Sequence, residues 1–379
     1  MRIGVPTEVK NNEYRVAMTP VGVHELVAHG HEVLVQAGAG AGCGISDDEY
    51  AAQGATVLES ADEVWGDSQM VLKVKEPVAQ EYHRLRDDLV LFTYLHLAAS
   101  LECTEALLKA GTTGIAYETV QLADGHLPLL YPMSEVAGCL APQVGAHTLM
   151  KAQGGRGVLM GCIGGVEAAK VVVLGGGVSG QNAANVAMGM GADVTILDTN
   201  IEKLRSIFWR FGGRIQGIAS SLLAVRELVG QADLVIGAVL VPGAKAPTLV
   251  TNDMVAGMKP GSVLVDIAVD QGGCFEDTRP TTHAEPTYRV HGSLFYCVSN
   301  MPGAVPHTST YALTNVTTPY ALRLADAGWR AACMADPALA AGVNTHAGQV
   351  TYPAVAEAHG LPSASIADGL DSRPWVATG

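Results

Sequence analysis

Four polar side chains in this sequence have types and positions that could do chemistry together. Arg15 lies in the polar loop NNEYRVAMTP, Lys75 at the end of the apolar segment MVLKVK, and His96 directly after LVLFTYL. Asp270 lies within DIAVDQGG, after another predicted strand. An arginine fork can hold a carboxylate, a lysine can hold a carboxylate or carbonyl, and histidine suits acid–base catalysis near neutral pH. The lysine at a strand end in particular predicts a group that holds a carboxylate or carbonyl.

Each of the four residues also has a plainer interpretation. Arg15 could be a surface arginine, Lys75 a solvated loop lysine and His96 a core histidine bonded to the backbone. Asp270 could simply form a turn. Their positions favour chemistry, because all four lie at or just beyond the carboxyl ends of predicted strands, and open parallel sheets bind ligands at that edge. We therefore interpret them as members of an active site.

A glycine-rich turn predicts a bound dinucleotide. Gly175, Gly177 and Gly180 form a G-x-G-x-x-G pattern between the apolar strand VVVL and a predicted helix over 181–190. The first glycine permits the tight turn, the second lets the backbone approach a pyrophosphate, and the third allows close helix–strand packing. Asp198 ends the next strand, 18 residues after Gly180. A carboxylate there bonds the ribose and repels a 2′-phosphate, which favours NAD over NADP; the alternative is a turn that merely packs.

The elements that must position these residues alternate between short apolar strands and amphipathic helices. This alternation predicts an α/β fold: two doubly wound, Rossmann-type parallel-sheet domains facing each other across an interdomain cleft. The first series of predicted strands comprises Arg2–Val5, Glu32–Gln36, Thr56–Leu58, Met70–Val74, Leu89–Thr93 and Thr113–Tyr117. The second comprises Val171–Leu174, Asp193–Leu197, Arg214–Gly217, Leu234–Ile236, Ser262–Asp266 and Phe295–Cys297.

The second series is expected to be inserted into the first domain. We expect residues 131–306 to form an NAD-binding Rossmann domain, and 1–130 with 307–379 a discontinuous substrate domain, because the tail shows helical periods over 313–328 and 353–359 but no further strands. A stretch of helical period from Ser134 to about Met150 joins the two series and is interrupted by Pro142. The links between the domains are the candidate hinges for closure around the substrates.

Composition excludes several other classes. Charged residues make up 16% of the 379 residues, against about 25% in typical proteins, and 44 residues are glycine. These values argue against disorder and coiled coil. The net charge of −14 without a basic stripe speaks against a nucleic-acid partner. The longest uncharged run, 290–322, contains three prolines and predicts a buried irregular region, not a membrane helix.

The amino-terminal and cysteine patterns predict a cytoplasmic protein. The start, MRIGVPTEVK, has no apolar segment of the kind that a signal peptide needs. Seven cysteines form no C-x-x-C pair, and most lie in apolar surroundings. An odd number of such residues is typical of reduced core thiols.

Several strings resemble the NAD-dependent L-alanine dehydrogenases, up to about residue 350. They are NNEYRVAMTP, VLKVKEP, FTYLHLA, MSEVAG, GGGVSG, VLVPGAKAP and DIAVDQGGCFE. The transhydrogenase α subunits share the architecture and the early strings, whereas YLHLA and DQGG resemble the dehydrogenases. The resemblance implies reversible conversion of L-alanine, NAD and water to pyruvate, ammonia and NADH, usually by a homohexamer.

The resemblance also implies a role for each site residue. His96 and Asp270 would be catalytic, and Arg15 and Lys75 would bind the carboxylate and carbonyl region of the substrate. The NAD site would include the glycines of the turn, with Arg279 and 298–301 around the nicotinamide end. Its implied members are Ser134, Gly175, Gly177, Val178, Ser179, Gly180, Asp198, Lys203, Ser220, Val239, Leu240, Ile267, Asp270, Arg279, Val298, Ser299, Asn300 and Met301.

One departure from the family bears on metals. Some relatives carry a cation-binding Glu and His where this chain has Arg323 and Ala327, so we predict no metal site. Three alternatives stay open: a transhydrogenase-type NAD(H) module docked to a membrane proton channel, a non-catalytic NAD sensor, and a lysine- or saccharopine-type dehydrogenase with the same chemistry.

Overall fold

The computed structural model describes residues 1–239 and 246–367, which divide into two units. The first unit comprises Met1–Pro132 and the chain from Val305 onward, and the second comprises Met133–Ala304. The breaks at 132/133 and 304/305 compare with 130/131 and 306/307 in the sequence-based expectation.

The strands of the described residues carry labels in chain order. They are β1 (Arg2–Val5), β2 (Glu32–Gln36), β3 (Thr56–Leu58), β4 (Met70–Leu72), β5 (Val90–Thr93), β6 (Thr113–Ala116), β7 (Lys170–Leu174), β8 (Asp193–Asp198), β9 (Gln216–Ala219), β10 (Leu234–Gly237), β11 (Val263–Asp266), β12 (Thr287–Val290), β13 (Ser293–Tyr296), β14 (Val343–His346) and β15 (Gln349–Val350).

The helices of the same residues are labelled likewise. They are α1 (Pro20–Ala28), α2 (Asp47–Ala52), α3 (Ala61–Asp67), α4 (Leu101–Ala110), α5 (Tyr131–Leu149), α6 (Val178–Gly189), α7 (Ile201–Arg210), α8 (Leu222–Gln231), α9 (Asn252–Ala256), α10 (Pro306–Ala327), α11 (Trp329–Ala335), α12 (Pro337–Ala341) and α13 (Pro353–His359). Within the described ranges, no helix combines the length and apolar character that crossing a bilayer requires.

The first unit is built on an eight-stranded sheet in the order β15-β14-β6-β5-β4-β1-β2-β3. Strands β1 to β6 are parallel, as the βαβ pattern predicts. The expectation that the tail adds no strands is wrong, because β14 pairs antiparallel with β6, and β15 with β14. These strands are short and polar, with sequences VNTH and QV, so they carry no apolar run. Their pairing gives β6 a partner on its outer side and so removes an exposed sheet edge.

The second unit is built on a seven-stranded sheet in the order β12-β13-β11-β10-β7-β8-β9. All its neighbouring pairs are parallel except β12 with β13. Strand β12 has the sequence TYRV and is partly exposed at the edge, so the apolar pattern does not reveal it. The prediction of an α/β fold with two doubly wound, mainly parallel sheets is confirmed.

Strand β7, an interior strand of the second sheet, is buried on both faces. Val171 and Val173 of β7 belong to one apolar cluster, and Val172 and Leu174 to the cluster on the opposite face. A parallel strand covered on both faces reads as a continuous apolar run, which is why KVVVL is an unambiguous signal. This strand delivers the glycine turn at its carboxyl end.

Several predicted boundaries shift. Strand β4 ends at Leu72 rather than Val74 because the N–H of Val74 donates to Glu8 Oε1 at 2.6 Å instead of to a neighbouring strand. Strand β9 begins at Gln216 rather than Arg214, after the left-handed glycines Gly212 and Gly213. Strand β13 covers 293–296 rather than 295–297.

Two helix predictions also change. Helix α5 runs unbroken through Pro142, so the expected interruption there is wrong; a proline removes only one hydrogen bond of the ladder. Helix α10 begins at Pro306 rather than Leu313, inside the segment predicted to be irregular. Proline suits the first position of a helix because its missing N–H would have no partner there.

Candidate functional site

The glycine turn of the second unit leaves no room for larger residues at two of its three motif positions. Gly175 adopts φ +100°, and a Cβ there would lie 2.8 Å from the carbonyl oxygen of Ala238. A Cβ on Gly180 would overlap the carbonyl oxygen of Gly175. A Cβ on Gly177 would meet no atom within 4 Å. The first and third glycines therefore make the turn, whereas the second keeps the space above it open.

The amino terminus of α6 opens directly from this turn. Gly177 is its N-cap residue, and no side chain caps the helix. The first N–H groups of a helix lack intrahelical partners and, with the helix dipole, attract an anion. Val178 and Ser179 lie in this first turn, and Ser134 lies half-buried in α5. Gly138 of α5 packs so closely on Ser179 that a Cβ there would overlap the Ser179 carbonyl oxygen.

Asp198 lies beside the glycine turn and bonds its backbone. Its Oδ2 accepts the N–H of Gly176 at 2.8 Å and pairs with Lys203 Nζ at 3.0 Å, while Oδ1 accepts the N–H of Asn200 at 2.8 Å. Burial raises the pKa of Asp198, but these N–H donors and the ammonium outweigh it, so the pKa lies below its ordinary value. Because a carboxylate has about four acceptor positions, three contacts leave capacity for a ribose hydroxyl.

The other predicted nucleotide residues of this sheet follow successive strands. Ser220 follows β9, and its N–H donates to the Asp198 carbonyl at 3.0 Å. Val239 follows β10, and Ile267 follows β11, where its N–H donates to Gly237 at 2.9 Å. These residues and the glycine turn thus all lie at the carboxyl edge of the parallel sheet. Leu240 lies outside the described residues.

Asp270 lies in a single helical turn after β11 and is exposed. The N–H of Asn300 approaches its Oδ2 at 3.4 Å, which brings Asp270 to the predicted segment 298–301. Val298 and Met301 are buried among apolar residues, so they shape this segment by packing. The N–H of Ser299 donates to the Thr281 carbonyl at 3.3 Å.

Arg279 is exposed and stacks on a tyrosine. Its guanidinium lies 4.0 Å from the ring centre of Tyr288, and its N–H donates to the Tyr288 hydroxyl oxygen at 2.9 Å. That hydroxyl donates to the Asp277 carbonyl at 2.8 Å. Tyr288 therefore fixes both the backbone and the side chain of Arg279.

Sequence reasoning missed Asp266, which holds the loop that carries Asp270. The buried Asp266 carboxylate accepts the N–H groups of Ala268 at 3.1 Å and Cys274 at 2.9 Å, and the Thr278 hydroxyl at 2.5 Å. Burial raises its pKa despite these donors. Its only sequence signal is its place at the end of β11.

In the first unit, Arg15 is buried rather than lying on the surface. Its guanidinium forms a two-point ion pair with Glu13, with Nε–Oε1 and Nη2–Oε2 both 2.6 Å. Burial alone would lower the pKa of Arg15, but Glu13 outweighs it and raises the value. The nearby Tyr94 hydroxyl donates to the Leu129 carbonyl at 2.6 Å.

His96 is held at the carboxyl end of β5 in an unusual backbone conformation. Its φ of 48° is left-handed, which is uncommon for a residue other than glycine. The N–H of His96 donates to Glu118 Oε1 at 2.6 Å, and the same oxygen lies 3.9 Å from Nδ1. The imidazole stacks on Tyr94 with 5.7 Å between ring centres, and its side chain is 40% exposed. It is therefore reachable rather than a core histidine.

Lys75 lies three residues beyond the end of β4 and directly precedes Glu76. Its carbonyl accepts the Thr93 hydroxyl at 3.1 Å, and Lys10 forms an ion pair with Glu76. Burial raises the pKa of Glu76, but Lys75, Lys10 and His96 together lower it below its ordinary value. Because β4 and β5 are parallel neighbours, Lys75 and His96 follow them at the same sheet edge, and both contribute to the lowered pKa of Glu76.

The sequence did not predict the acidic residues around these cations, nor the buried Lys73. The acidic residues are Glu8, Glu13, Glu76, Glu81 and Glu118. A carboxylate next to a predicted strand gives no sign of which distant cation it meets. Lys73 alone carried a usable signal, since a lysine inside an apolar run must find partners when it is buried.

Within residues 1–239 and 246–367, no three His, Cys, Asp or Glu side chains are arranged to hold a metal ion. Arg323 instead pairs with Asp336 at 2.7 Å. All seven cysteines are free thiols, and five are buried.

Comparisons with known proteins give consistent matches along the chain. Residues 4–137 match the model of the alanine dehydrogenase/PNT amino-terminal domain, and 141–353 match that of the carboxyl-terminal domain. The chain is 63% identical to an alanine dehydrogenase of Mycolicibacterium smegmatis, over 98% of this chain and 100% of the relative. It is 64% identical to that of Mycobacterium tuberculosis, over 96% of this chain and 98% of the relative.

Solved structures agree with these sequence matches. An L-alanine dehydrogenase structure superposes with a TM-score of 0.92 at 50% identity, covering 95% of this chain and 99% of the other. A transhydrogenase of Sinorhizobium meliloti superposes with a TM-score of 0.79 at 28% identity, covering 93% and 100%. With the open glycine turn, these matches indicate a nicotinamide dinucleotide cofactor. The chain belongs to the alanine dehydrogenase/PNT family.

Proposed function

We propose that this protein is an L-alanine dehydrogenase that reversibly converts L-alanine, NAD and water to pyruvate, ammonia and NADH. The observation that carries the proposal is that Lys75 and His96 follow the paired parallel strands β4 and β5 at one sheet edge, where the Thr93 hydroxyl donates to the Lys75 carbonyl at 3.1 Å. Buried Arg15 belongs to the same unit. The identity of more than half to alanine dehydrogenases supports the substrate.

The first unit would bind the substrate. The guanidinium of Arg15 would attract the substrate carboxylate, and the ammonium of Lys75 would polarise the developing carbonyl. His96, accessible and oriented through Glu118, would move protons as the imine gains water and releases ammonia. Asp270, exposed on its loop in the second unit, would orient the water or stabilise a protonated partner.

The second unit would bind the nucleotide, whose nicotinamide ring accepts the hydride from the substrate Cα. Gly177 leaves the turn open for the pyrophosphate, and the uncapped start of α6 supplies N–H groups. Asp198 supports NAD over NADP, since its charged carboxylate would repel a 2′-phosphate. The other proposed contacts are Ser134, Gly175, Val178, Ser179, Gly180, Lys203, Ser220, Val239, Leu240, Ile267, Arg279, Val298, Ser299, Asn300 and Met301.

The deciding experiment measures NADH formation by the purified protein with a panel of L-amino acids at alkaline pH, and repeats it with NADP. We expect L-alanine to give the highest rate and NADP to give little. Turnover with lysine or saccharopine instead would replace the substrate assignment. NAD binding without turnover of any amino or keto acid would identify a sensor, and copurification with a membrane subunit would favour a transhydrogenase module.

We further propose that the enzyme works in the cytoplasm as a homohexamer, with L-alanine, pyruvate and ammonia as its small-molecule partners and without nucleic acid or membrane. Seven free thiols support a reducing compartment, and the family resemblance supports the hexamer. Light scattering coupled to size-exclusion chromatography tests the subunit number directly.

A further inference from the structure

A buried charge cluster lies beside Lys75 that the proposed reaction does not use. It consists of Lys73, Glu8 and Glu81, whose side chains are 0%, 2% and 1% exposed. Lys73 Nζ lies 3.0 Å from Glu8 Oε2 and 3.0 Å from Glu81 Oε1. Burial alone would lower the pKa of Lys73, but the two carboxylates outweigh it and raise the value. The two carboxylates therefore favour the charged form of the lysine.

Such a cluster is not explained by stability. Removing three charged side chains from water costs as much as their attraction returns, and apolar replacements of buried ion pairs are often neutral or stabilising. We therefore ask which part of the backbone the cluster holds in place.

Glu8 holds the backbone that leads to Lys75. Strands β1 and β4 are parallel neighbours, so the residues after them meet at one sheet edge. There Glu8 Oε1 accepts the N–H of Val74 at 2.6 Å, and Oε2 approaches the N–H of Lys75 at 3.4 Å. On the other side, the Thr93 hydroxyl donates to the Lys75 carbonyl at 3.1 Å.

Glu81 makes a different set of contacts. It shares the ammonium of Lys73, but its other oxygen accepts the N–H of Val78, in the turn before its own short helix. Both carboxyl groups thus contact the same lysine, and only Glu8 bonds the backbone at Val74 and Lys75.

We infer that Glu8 is a positioning residue for Lys75, with Lys73 as the cation that keeps its carboxylate in place. This inference rests on the proposed function, because substrate binding by Lys75 is itself proposed. A displacement of about 1 Å in a substrate-binding group can cost about 100-fold in rate. Glu8 would therefore influence turnover without touching the substrate.

The test compares Glu8→Gln with Glu81→Gln in pyruvate reduction at saturating NADH and ammonia. We expect Glu8→Gln to lower kcat/KM for pyruvate by about 10- to 100-fold, while the Kd of NADH changes by less than about twofold. Glu81→Gln makes the same substitution beside Lys73 but leaves the bonds from Glu8 to Val74 and Lys75 in place, so its kcat/KM should stay within about threefold of wild type. Equal losses in the two variants would overturn the inference.

A double-mutant cycle with Lys75→Met tests the route of the effect. If Glu8 acts through Lys75, adding Glu8→Gln to Lys75→Met should cost less than about twofold further. Losses that multiply would show that Glu8 acts elsewhere and would overturn the inference. Circular dichroism and the thermal midpoint establish that each variant is folded.

Should Glu8→Gln fail to fold, Glu8→Asp provides the same test. It keeps the charge beside Lys73 but draws the carboxylate back by one methylene, so we expect a loss of about 10-fold in kcat/KM. Wild-type activity in Glu8→Asp would overturn the inference. A wild-type protein that cannot reduce pyruvate would overturn the proposed function as well, whereas an active wild type with an unaffected Glu8 variant would overturn this inference alone.

Discussion

Arg15 meets the carboxylate of Glu13 edge-on, through two contacts of 2.6 Å in the interior of the first unit. The Nε–Nη2 edge of the fork is thereby used by the protein itself, so a substrate carboxylate cannot take that edge while the pair is intact. If Arg15 binds the substrate as proposed, Glu13 would set the orientation in which the guanidinium meets the substrate carboxylate.

Substitutions at the Arg15–Glu13 pair should have different effects on stability and on activity. Glu13→Leu leaves a buried guanidinium without its main counter-ion and should destabilise the protein by about 3 kcal/mol. Arg15→Met/Glu13→Leu should recover most of that loss, because it removes both charges, yet should remain inactive for lack of the arginine. Thermal midpoints and pyruvate reduction measure the two quantities; activity in the double variant would contradict the role of Arg15.

His96→Ala and Asp270→Asn should each lower kcat by about 10²- to 10⁴-fold, because each removes a proposed acid–base group. The Kd of NADH should change by less than about twofold. His126→Ala and Asp253→Asn, exposed residues of the same types, are the matched controls and should retain wild-type rates. A near-normal rate in either site variant would disprove its catalytic assignment.

The sequence predicts the sheets well where a strand is apolar and is followed by a turn. KVVVL with the glycine turn specifies β7 and the start of α6, because strand, turn and helix signals agree locally. The sequence does not predict strands that are short or exposed at a sheet edge, namely β12, β14 and β15. Their stability comes from pairing with distant strands, which local patterns do not contain.

The candidate site divides in the same way. Lys75 and His96 can be recognised as polar residues after apolar runs, and the structure places them beyond the carboxyl ends of the neighbouring strands β4 and β5. Their partners could not be predicted from the sequence, because the residues in contact lie far apart in the chain. Lys75 and Glu8 are 67 positions apart, and His96 and Glu118 are 22 positions apart. Which cation a carboxylate contacts is therefore known only once the fold shows which strand ends lie next to each other.

Asp198→Asn should weaken discrimination between the two nicotinamide nucleotides. The amide removes the negative charge that would repel a 2′-phosphate, while Lys203 remains beside it as an attractive cation. We expect the ratio of kcat/KM for NAD over NADP to fall by about 10-fold or more. Asp193→Asn, at the exposed start of the same strand β8, should leave the ratio unchanged, and an unchanged ratio in Asp198→Asn would contradict its role.

The glycines of the turn should respond differently to alanine. Gly180→Ala would force a Cβ into the Gly175 carbonyl and should destabilise the second unit by several kcal/mol, about 3 or more. Gly177→Ala meets open space, so folding should be unaffected, but the Kd of NADH should rise because the methyl group enters the proposed pyrophosphate position. Fluorescence titration and thermal unfolding separate the two effects. Wild-type NADH affinity in Gly177→Ala would contradict this position for the pyrophosphate.

Glu76 should make the first unit sensitive to acid. Its pKa in the folded protein lies below the ordinary value of 4.5, because Lys75, Lys10 and His96 outweigh the effect of burial. The carboxylate therefore stabilises the folded state above about pH 4.5, and this contribution is lost as the pH falls through the lowered pKa. Wild type should exceed Glu76→Gln in stability by about 1 kcal/mol at about pH 6, and the two should converge near about pH 3.

Thermal unfolding across this range measures the difference, with the exposed Glu59→Gln as control. A difference that stays constant with pH would contradict the proposed ionisation of Glu76 and assign the loss to packing.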